Sequence, residues 1–151
     1  MFKSILLLSV FICLVFVSHT QGTAVNVPSA TGWPILLNST FLASKYDRSD
    51  NKLIVIYFTK DDCPPCDILS PMLAPWLHNA TYSSVEFYEV NFSHFLNIPS
   101  DYEALEVTSL PSIKFYRNYE ATEDGYVKFL WQSSAPVLMY TKAFDFINVN
   151  Y

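Results

Sequence analysis

The feature that most constrains this chain is a pair of cysteines, separated by two prolines, that follows an apolar run. Residues 53–58 are β-branched, aromatic and apolar at every position, which is typical of a central strand covered on both faces of a sheet. Cys63-Pro64-Pro65-Cys66 comes next and opens a stretch with helical spacing. Two thiols three positions apart at a helix N-terminus can form and break a disulfide, and the helix end favours the thiolate form.

The N-terminal residues have the pattern of a secretory signal peptide. Lys3 supplies a positive start, residues 5–17 are apolar and uncharged, and residues 20–22 place small side chains near a cleavage point. The alternative is an uncleaved anchor, although the apolar stretch is short for crossing a bilayer. We predict a signal peptide over 1–22 and no membrane attachment after its removal.

The rest of the chain is expected to form one domain. Cleavage would remove Cys13 and leave Cys63 and Cys66 without another cysteine to pair with. Residues 23–33 are polar and are predicted to be a flexible leader, and residues 34–151 are predicted to form the domain.

Charge and sequons limit the partners and the compartment. The net charge is −5, and the chain has no basic cluster, which argues against nucleic acid and against anionic lipid as partners. A signal peptide together with sequons predicts the secretory pathway, either as a secreted protein or in the endoplasmic reticulum lumen. The C-terminus carries no retention signal of the KDEL type. The predicted glycosylation sites are Asn38, Asn79 and Asn91.

The order of predicted elements indicates an α/β fold with a central mixed sheet and helices on both faces. Strands alternate with helices before a hairpin and a final helix that Pro136 opens. The predicted strands cover 34–37, 53–58, 85–91, 112–117 and 126–131, and the predicted helices cover 41–46, a stretch from Cys63, 101–106 and a stretch from Pro136. The predicted core faces of the second and last helices are Ile68, Leu69, Met72, Leu73, Trp76 and Leu77, and Val137, Tyr140, Thr141, Phe144 and Ile147.

These features together resemble the thioredoxin superfamily over about residues 34–147. The cysteine pair follows the central strand, and Pro71 lies five residues after Cys66, where thioredoxins carry the proline that kinks their active-site helix. Ser109-Leu110-Pro111-Ser112 precedes the hairpin, where the family has a cis-proline. The resemblance implies the thioredoxin fold and a thiol–disulfide oxidoreductase similar to thioredoxin or protein disulfide isomerase.

The resemblance also implies roles for individual residues. Cys63 would be the exposed attacking thiol, and Cys66 the buried thiol that resolves the mixed disulfide. A cis bond before Pro111 would leave the backbone of Leu110 free to pair with an extended substrate. The implied partners are protein or peptide thiols and disulfides. We expect the protein to be a monomer that needs no cofactor and contributes to cell redox homeostasis.

Four positions depart from the family pattern. Asp62 stands where thioredoxins usually have Trp, and Asp67 where a basic residue is common. Tyr57 stands in place of a buried carboxylate, and Glu89 in place of a lysine on the next strand. One hypothesis is that Glu89 serves Cys66 through Tyr57 or a water; the alternative is that Glu89 is exposed on an alternating strand.

The surroundings of the thiols predict mild redox behaviour. Asp61, Asp62 and Asp67 disfavour a nearby thiolate, and Lys60 offsets part of this effect. The two prolines remove N–H groups that could have pointed at the sulfur of Cys63. Since an oxidant needs a stabilised thiolate, these features favour a reductase or a mild exchanger.

Two other functions remain open from the sequence. A thioredoxin-like domain can be a non-catalytic peptide-binding or chaperone module, because fold does not determine function. Cys63 and Cys66 could also bind a metal, but two thiolates are half of a zinc shell, and spacing does not place His78 or His94 near them. No metal site is therefore predicted.

Overall fold

The computed structural model describes residues 27–46, 50–96, 107–117, 129–132 and 135–151. The predicted signal peptide over 1–22, residues 23–26 of the predicted leader and the predicted helix over 101–106 lie outside these residues. Within them, no helix combines the length and the apolar character needed to cross a membrane. The elements are α1 (Ser39–Tyr46), β1 (Ile54–Thr59), α2 (Pro64–Leu73), the 3₁₀ turns Ala74–His78 and Ala80–Tyr82, β2 (Glu86–Asn91), β3 (Ser112–Tyr116), β4 (Phe129–Gln132) and α3 (Pro136–Asn150).

The four strands form one mixed sheet in the order β2-β1-β3-β4. β1 pairs in parallel with β2 and antiparallel with β3, and β3 pairs antiparallel with β4. All six residues of β1 are buried, as the apolar run predicted for a central strand. The predicted antiparallel hairpin is confirmed as β3 and β4.

Hydrophobic layers cover both faces of the sheet. Val55 and Tyr57 of β1 belong to a layer that α2 and α3 complete, while Ile54, Ile56 and Phe58 belong to a layer that includes Leu42 of α1. Successive residues of a strand point to opposite faces, so a strand buried on both faces needs helices on both sides. This arrangement confirms the predicted fold class.

The residues before the predicted domain start are part of the core rather than a flexible leader. Trp33 is 1% exposed, and its ring centroid lies 4.9 Å from that of Phe87 and 6.4 Å from that of Tyr57. Thr31 is also buried. The prediction of a leader was wrong here because a polar segment can be fixed by hydrogen bonds that leave no apolar pattern in the sequence. Residues 29–33 are called the N-terminal strap below.

The strap is fixed by the carboxylate of Glu89, which is fully buried. Ser29 Oγ, Thr31 N and Thr31 Oγ1 donate to Glu89 Oε2 at 2.8, 3.0 and 2.6 Å, and Ala30 N donates to Oε1 at 3.0 Å. The expectation that Glu89 is exposed was therefore wrong. Residues 34–36 lie alongside β2 at this point, since Glu89 N donates to Pro34 O and Leu36 N donates to Glu89 O. The strand predicted over 34–37 is reduced to a single bridge at Ile35.

The core face of α2 differs in part from the prediction. Leu69, Leu73 and Trp76 are buried, but Ile68 is 53% exposed. Pro71 lies inside α2, and the helix gives way after Leu73 to the 3₁₀ turn that contains Pro75. A helix packed on a sheet buries a narrow stripe, and Ile68 falls outside the stripe that Leu69 and Leu73 define.

The core face of α3 is also rotated from the prediction. The buried residues are Met139, Ala143 and Ile147, spaced four apart, whereas Val137 and Phe144 are 61% and 39% exposed. The prediction followed the large side chains, but the small Ala143 lies at the centre of the contact. A small residue lets a helix approach its neighbour closely, but the composition of the helix does not show which face makes this close contact.

A lysine lies in the second hydrophobic layer. Lys114 of β3 is 1% exposed and is paired in register with Ile56 of β1. Its Nζ lies 5.9 Å from the centroid of the Tyr116 ring. Burial lowers the pKa of Lys114 to about 8 from 10.5, because the charged form loses its hydration.

We expect the Lys114→Met variant to be more stable than the wild type at neutral pH. An unfolded lysine holds its proton up to about pH 10.5, so the wild-type free energy of unfolding should rise between pH 8 and 10.5, by up to about 3 kcal/mol. The variant should lack this rise. Urea unfolding at pH 7 and 9.5 measures the change in the free energy of unfolding. The control is Lys142→Met, at an exposed position of α3. Equal pH dependence in both variants would contradict the assignment.

We expect Glu89→Gln to destabilise the fold by about 1–3 kcal/mol, because an amide group would face donors that now meet a carboxylate oxygen. Glu86→Gln is the matched control on the same strand. Glu86 makes a partly exposed ion pair with Lys52 at 3.4 Å, so its loss should cost less than about 1 kcal/mol. Urea unfolding at constant pH compares the two variants, and equal midpoints would show that the strap contributes nothing.

Candidate functional site

The cysteine pair lies where the end of β1 leads into α2, and the two residues form a disulfide. Cys63 is the N-cap of α2, and its Cα lies 5.2 Å from that of Cys66. The carbonyl of Cys63 accepts hydrogen bonds from the backbone N–H groups of Cys66 and Asp67 at 2.8 and 3.0 Å, which close the first helical turn. Pro64 and Pro65 fit this turn because its first N–H groups have no partner within the helix.

Both cysteines are buried in the disulfide form. Cys63 is 4% exposed and Cys66 is 1% exposed. The family resemblance implied an exposed Cys63, and this expectation is not met here, since the sulfur of Cys63 is bonded to that of Cys66 rather than turned to solvent.

Tyr57 lies beneath Cys66 and does not behave as a base. Its hydroxyl lies 3.1 Å from Ser70 Oγ and donates to the carbonyl of Cys66 at 3.3 Å, and Ser70 Oγ donates to the same carbonyl at 2.8 Å. Burial raises the pKa of Tyr57 to about 12, although the hydrogen bond with Ser70 opposes the shift. At neutral pH the phenol is protonated and can only fix the backbone of Cys66.

Ser70 is a site residue that the sequence reading missed. It is 3% exposed and lies four residues after Cys66 in α2. A serine at this spacing can bond back to the carbonyl one turn earlier, which was the available signal. The signal is weak, because most helical serines point to solvent.

Glu89 lies beside Tyr57 but is not linked to Cys66. The two residues are paired in register between β1 and β2. However, the hydrogen bonds of the Glu89 carboxylate lead to Ser29, Ala30 and Thr31 of the N-terminal strap. The hypothesis of a proton route from Cys66 through Tyr57 to Glu89 is not supported by these contacts.

The carboxylates around the thiols differ in their contacts. Asp62 and Asp67 are exposed, and Asp62 has a φ of 53°, a left-handed conformation that aspartate tolerates better than most residues. Asp61 is instead held by the turn after β2. Its backbone N donates to Ser93 Oγ at 2.9 Å, and its side chain contacts Asn91 and His94.

His94 was not expected near the site. Spacing placed it in a loop with no link to the cysteines, but its Nε2 lies 3.0 Å from Asp61 Oδ2, two residues before Cys63. The parallel pairing of β1 and β2 brings their carboxyl ends to the same edge of the sheet, so the residues after each strand meet. Within the described residues, no group of three or more His, Cys, Asp or Glu side chains is placed to hold a metal ion.

The predicted substrate-binding residues lie at the same edge of the sheet. The Leu110–Pro111 peptide bond is cis, as the resemblance implied. Ser112 follows directly and is paired with Phe58 near the end of β1, so Leu110 and Pro111 come to the edge from which the Cys63 loop leaves. Leu110 is half-buried and Pro111 is buried.

The three predicted glycosylation sites differ in accessibility. Asn79 is exposed and Asn38 is half-buried, and in each the side-chain Oδ1 accepts a backbone N–H. Asn91 is 6% exposed, and its Nδ2, the atom that a glycan would occupy, donates to Asp61 Oδ1 at 2.9 Å. A glycan on Asn91 would require this buried side chain to leave its place, so Asn38 and Asn79 are the more accessible of the three predicted sites.

The sequence and the fold are similar to those of known proteins. The sequence profile of the family described as Thioredoxin matches residues 38–128. Thioredoxin-2 of Saccharomyces cerevisiae is 31% identical over 78 residues, which are 50% of this chain and 70% of that protein. The structure of thioredoxin O1 from Arabidopsis thaliana in its oxidised state has a TM-score of 0.62 at 20% identity and covers 80% of this chain and 98% of its own.

A second solved structure shows the same likeness. Thioredoxin Mala s 13 from Malassezia sympodialis has a TM-score of 0.61 at 15% identity and covers 78% of this chain and 91% of its own. At these identities the solved structures show the fold. The profile match, which covers more than half of the sequence, shows the relationship: this chain belongs to the thioredoxin family and has the thioredoxin fold.

Proposed function

We propose that this protein is a thiol–disulfide oxidoreductase of the secretory pathway that acts on protein or peptide disulfides through Cys63 and Cys66. The observation that carries the proposal is the Cys63–Cys66 disulfide at the N-terminus of α2, in a chain of the thioredoxin family. A disulfide at a helix start joins two thiols that can be separated and rejoined without unfolding the helix. Such a pair can pass two electrons to or from a substrate.

The reaction proceeds in two exchanges. The Cys63 thiolate attacks one sulfur of a substrate disulfide, forms a mixed disulfide and expels the other substrate sulfur as a thiolate, which takes up a proton from water. The Cys66 thiolate then attacks the sulfur of Cys63 and expels the second substrate thiolate. The substrate gains two electrons and two protons, and the cysteine pair ends as the disulfide seen here. An external dithiol reductant restores the pair.

The surroundings favour reduction or mild exchange over strong oxidation. Asp62 and Asp67 place negative charge beside the pair, and the two prolines of the turn offer no N–H to the sulfur of Cys63. A strong oxidant owes its power to a stabilised thiolate, which these features oppose. This direction resembles thioredoxin more than the oxidising members of the disulfide isomerase group.

The compartment is inferred from the sequence. The N-terminal 22 residues have the signal-peptide pattern, and Asn38 and Asn79 supply sequons in accessible positions. The N-terminal strap adds a constraint on processing. Cleavage near residue 22 leaves Ser29 and Thr31 in place, so the mature chain keeps the donors that hold Glu89.

We expect Cys63→Ser to abolish turnover and Cys66→Ser to trap substrates as mixed disulfides, because the second exchange then lacks its thiolate. Non-reducing gels with mass spectrometry of the secretory lumen of expressing cells detect the trapped species. The Cys63→Ser/Cys66→Ser double variant is the control. Peptide binding that persists in the double variant, without any trapping by Cys66→Ser, would favour the non-catalytic binding module.

We expect Tyr57→Phe to leave the shape of the pH profile of exchange unchanged between about pH 6 and 9, because the phenol stays protonated throughout this range. The rate should fall by less than about five-fold, the effect of one hydrogen bond, since Ser70 still holds the carbonyl of Cys66. Tyr82→Phe, which loses a hydrogen bond to Asn148 on α3, is the control. A shifted profile in Tyr57→Phe alone would show that this phenol takes part in proton transfer.

A further inference from the structure

The loop that delivers Cys63 is held by a cluster of polar side chains centred on Asp61. Asn91 Nδ2 donates to Asp61 Oδ1 at 2.9 Å, and His94 Nε2 lies 3.0 Å from Asp61 Oδ2. Asp61 N donates to Ser93 Oγ at 2.9 Å. Both carboxylate oxygens and the backbone N–H of Asp61 therefore have partners on one short turn.

The turn that holds Asp61 is itself ordered by Asn91. Asn91 is 6% exposed, its Oδ1 accepts from Ser93 N at 3.0 Å, and its carbonyl accepts from His94 N at 3.0 Å. The turn is also tied to β1, since Phe92 N donates to Thr59 O at 2.9 Å. The position of His94 over Asp61 is therefore fixed by backbone contacts rather than by the ion pair alone.

The contact between His94 and Asp61 links an imidazole, which can carry a positive charge, to the loop that holds the attacking thiol. Histidine is the side chain whose charge ordinarily changes between pH 5 and 8. Of the described residues, the other charged groups on this loop and on the adjoining helix are Lys60, Asp62 and Asp67, and all three are exposed to solvent, as Asp61 itself is. Of the three aspartates, Asp61 is the one whose carboxylate lies against a histidine, and it lies two residues before Cys63.

We propose that Asp61 and His94 act as a positioning pair that couples the reactivity of Cys63 to pH. Protonated His94 balances the charge of Asp61 and removes a repulsion that disfavours the Cys63 thiolate. At a pH where an imidazole is ordinarily neutral, the charge of Asp61 acts on the thiolate without that balance. The proposal rests on the function proposed above, since it concerns the nucleophile of that reaction.

The test is the pH dependence of the alkylation of Cys63 by iodoacetamide. The full chain carrying Cys66→Ser leaves Cys63 as the thiol of the pair, and peptide mass spectrometry separates it from Cys13. At each pH the alkylation rate of the chain with His94 is divided by the rate of the chain with His94→Gln. The ordinary ionisation of the thiol affects both rates equally and cancels in this ratio. We expect alkylation to be two- to about five-fold faster with His94 at pH 5.5, and equal at pH 8.5.

Two further variants make the result specific. His78→Gln removes an exposed histidine at the far end of the helical stretch and should give a ratio of one at every pH. Asp61→Asn keeps the shape of the side chain and removes its charge, so it should speed alkylation at pH 8.5. It should also reduce the effect of His94→Gln at pH 5.5, because the imidazolium loses the carboxylate that holds it.

The outcomes separate this inference from the proposed function. A ratio that does not change with pH, or an equal change in His78→Gln, would overturn the pairing while leaving catalysis by Cys63 and Cys66 intact. A protein without disulfide turnover, but with the expected alkylation ratios, would overturn the proposed function and keep the pairing. If His94→Gln unfolds, the comparison at pH 8.5 of the Cys66→Ser chain with and without Asp61→Asn decides, and an unchanged rate there also overturns the proposal.

Discussion

The rest of the structure depends on β1 being paired on both edges and covered on both faces. Its six residues are buried, and the strand is bonded in parallel to β2 and antiparallel to β3. Because a strand in this position has no freedom to slide, its end is a fixed point in the molecule. The cysteine turn, the turn after β2 and the segment before β3 all meet at this end. The site is thus assembled by three chain segments that approach the end of one strand.

The buried polar side chains next to β1 show how the fold accommodates the absence of the usual carboxylate. Tyr57 replaces a charge with a neutral hydroxyl, which bonds to Ser70 and the carbonyl of Cys66. Glu89 brings a carboxylate into the adjacent strand, where burial of a charge would cost several kcal/mol without compensation. Four donors from the N-terminal strap supply that compensation. The charge is therefore used to fix the strap, and the position under Cys66 is left without a base at neutral pH.

The sequence predicted the features that depend on local pattern and on family spacing. The central strand, the cysteine pair, the hairpin and the cis bond before Pro111 were all recovered. Contacts between distant segments were not, because Thr31 and Glu89, or Asp61 and His94, lie many residues apart and carry no periodicity that links them. The face of α3 was misjudged for another reason, since the deciding residue, Ala143, is small.

The carboxylates near the thiols cannot be counted as equal charges. Asp61, Asp62 and Asp67 are all exposed, so water and salt screen the effect of each on the sulfur of Cys63. Asp61 is bound on both oxygens and is held at a fixed distance along the loop, which makes its effect less dependent on side-chain motion. The family position beneath Cys66 offers only a phenol that stays protonated. The position beneath Cys66 therefore holds no base at neutral pH, and the polar turn beside Cys63 is where we propose that pH acts on the thiols.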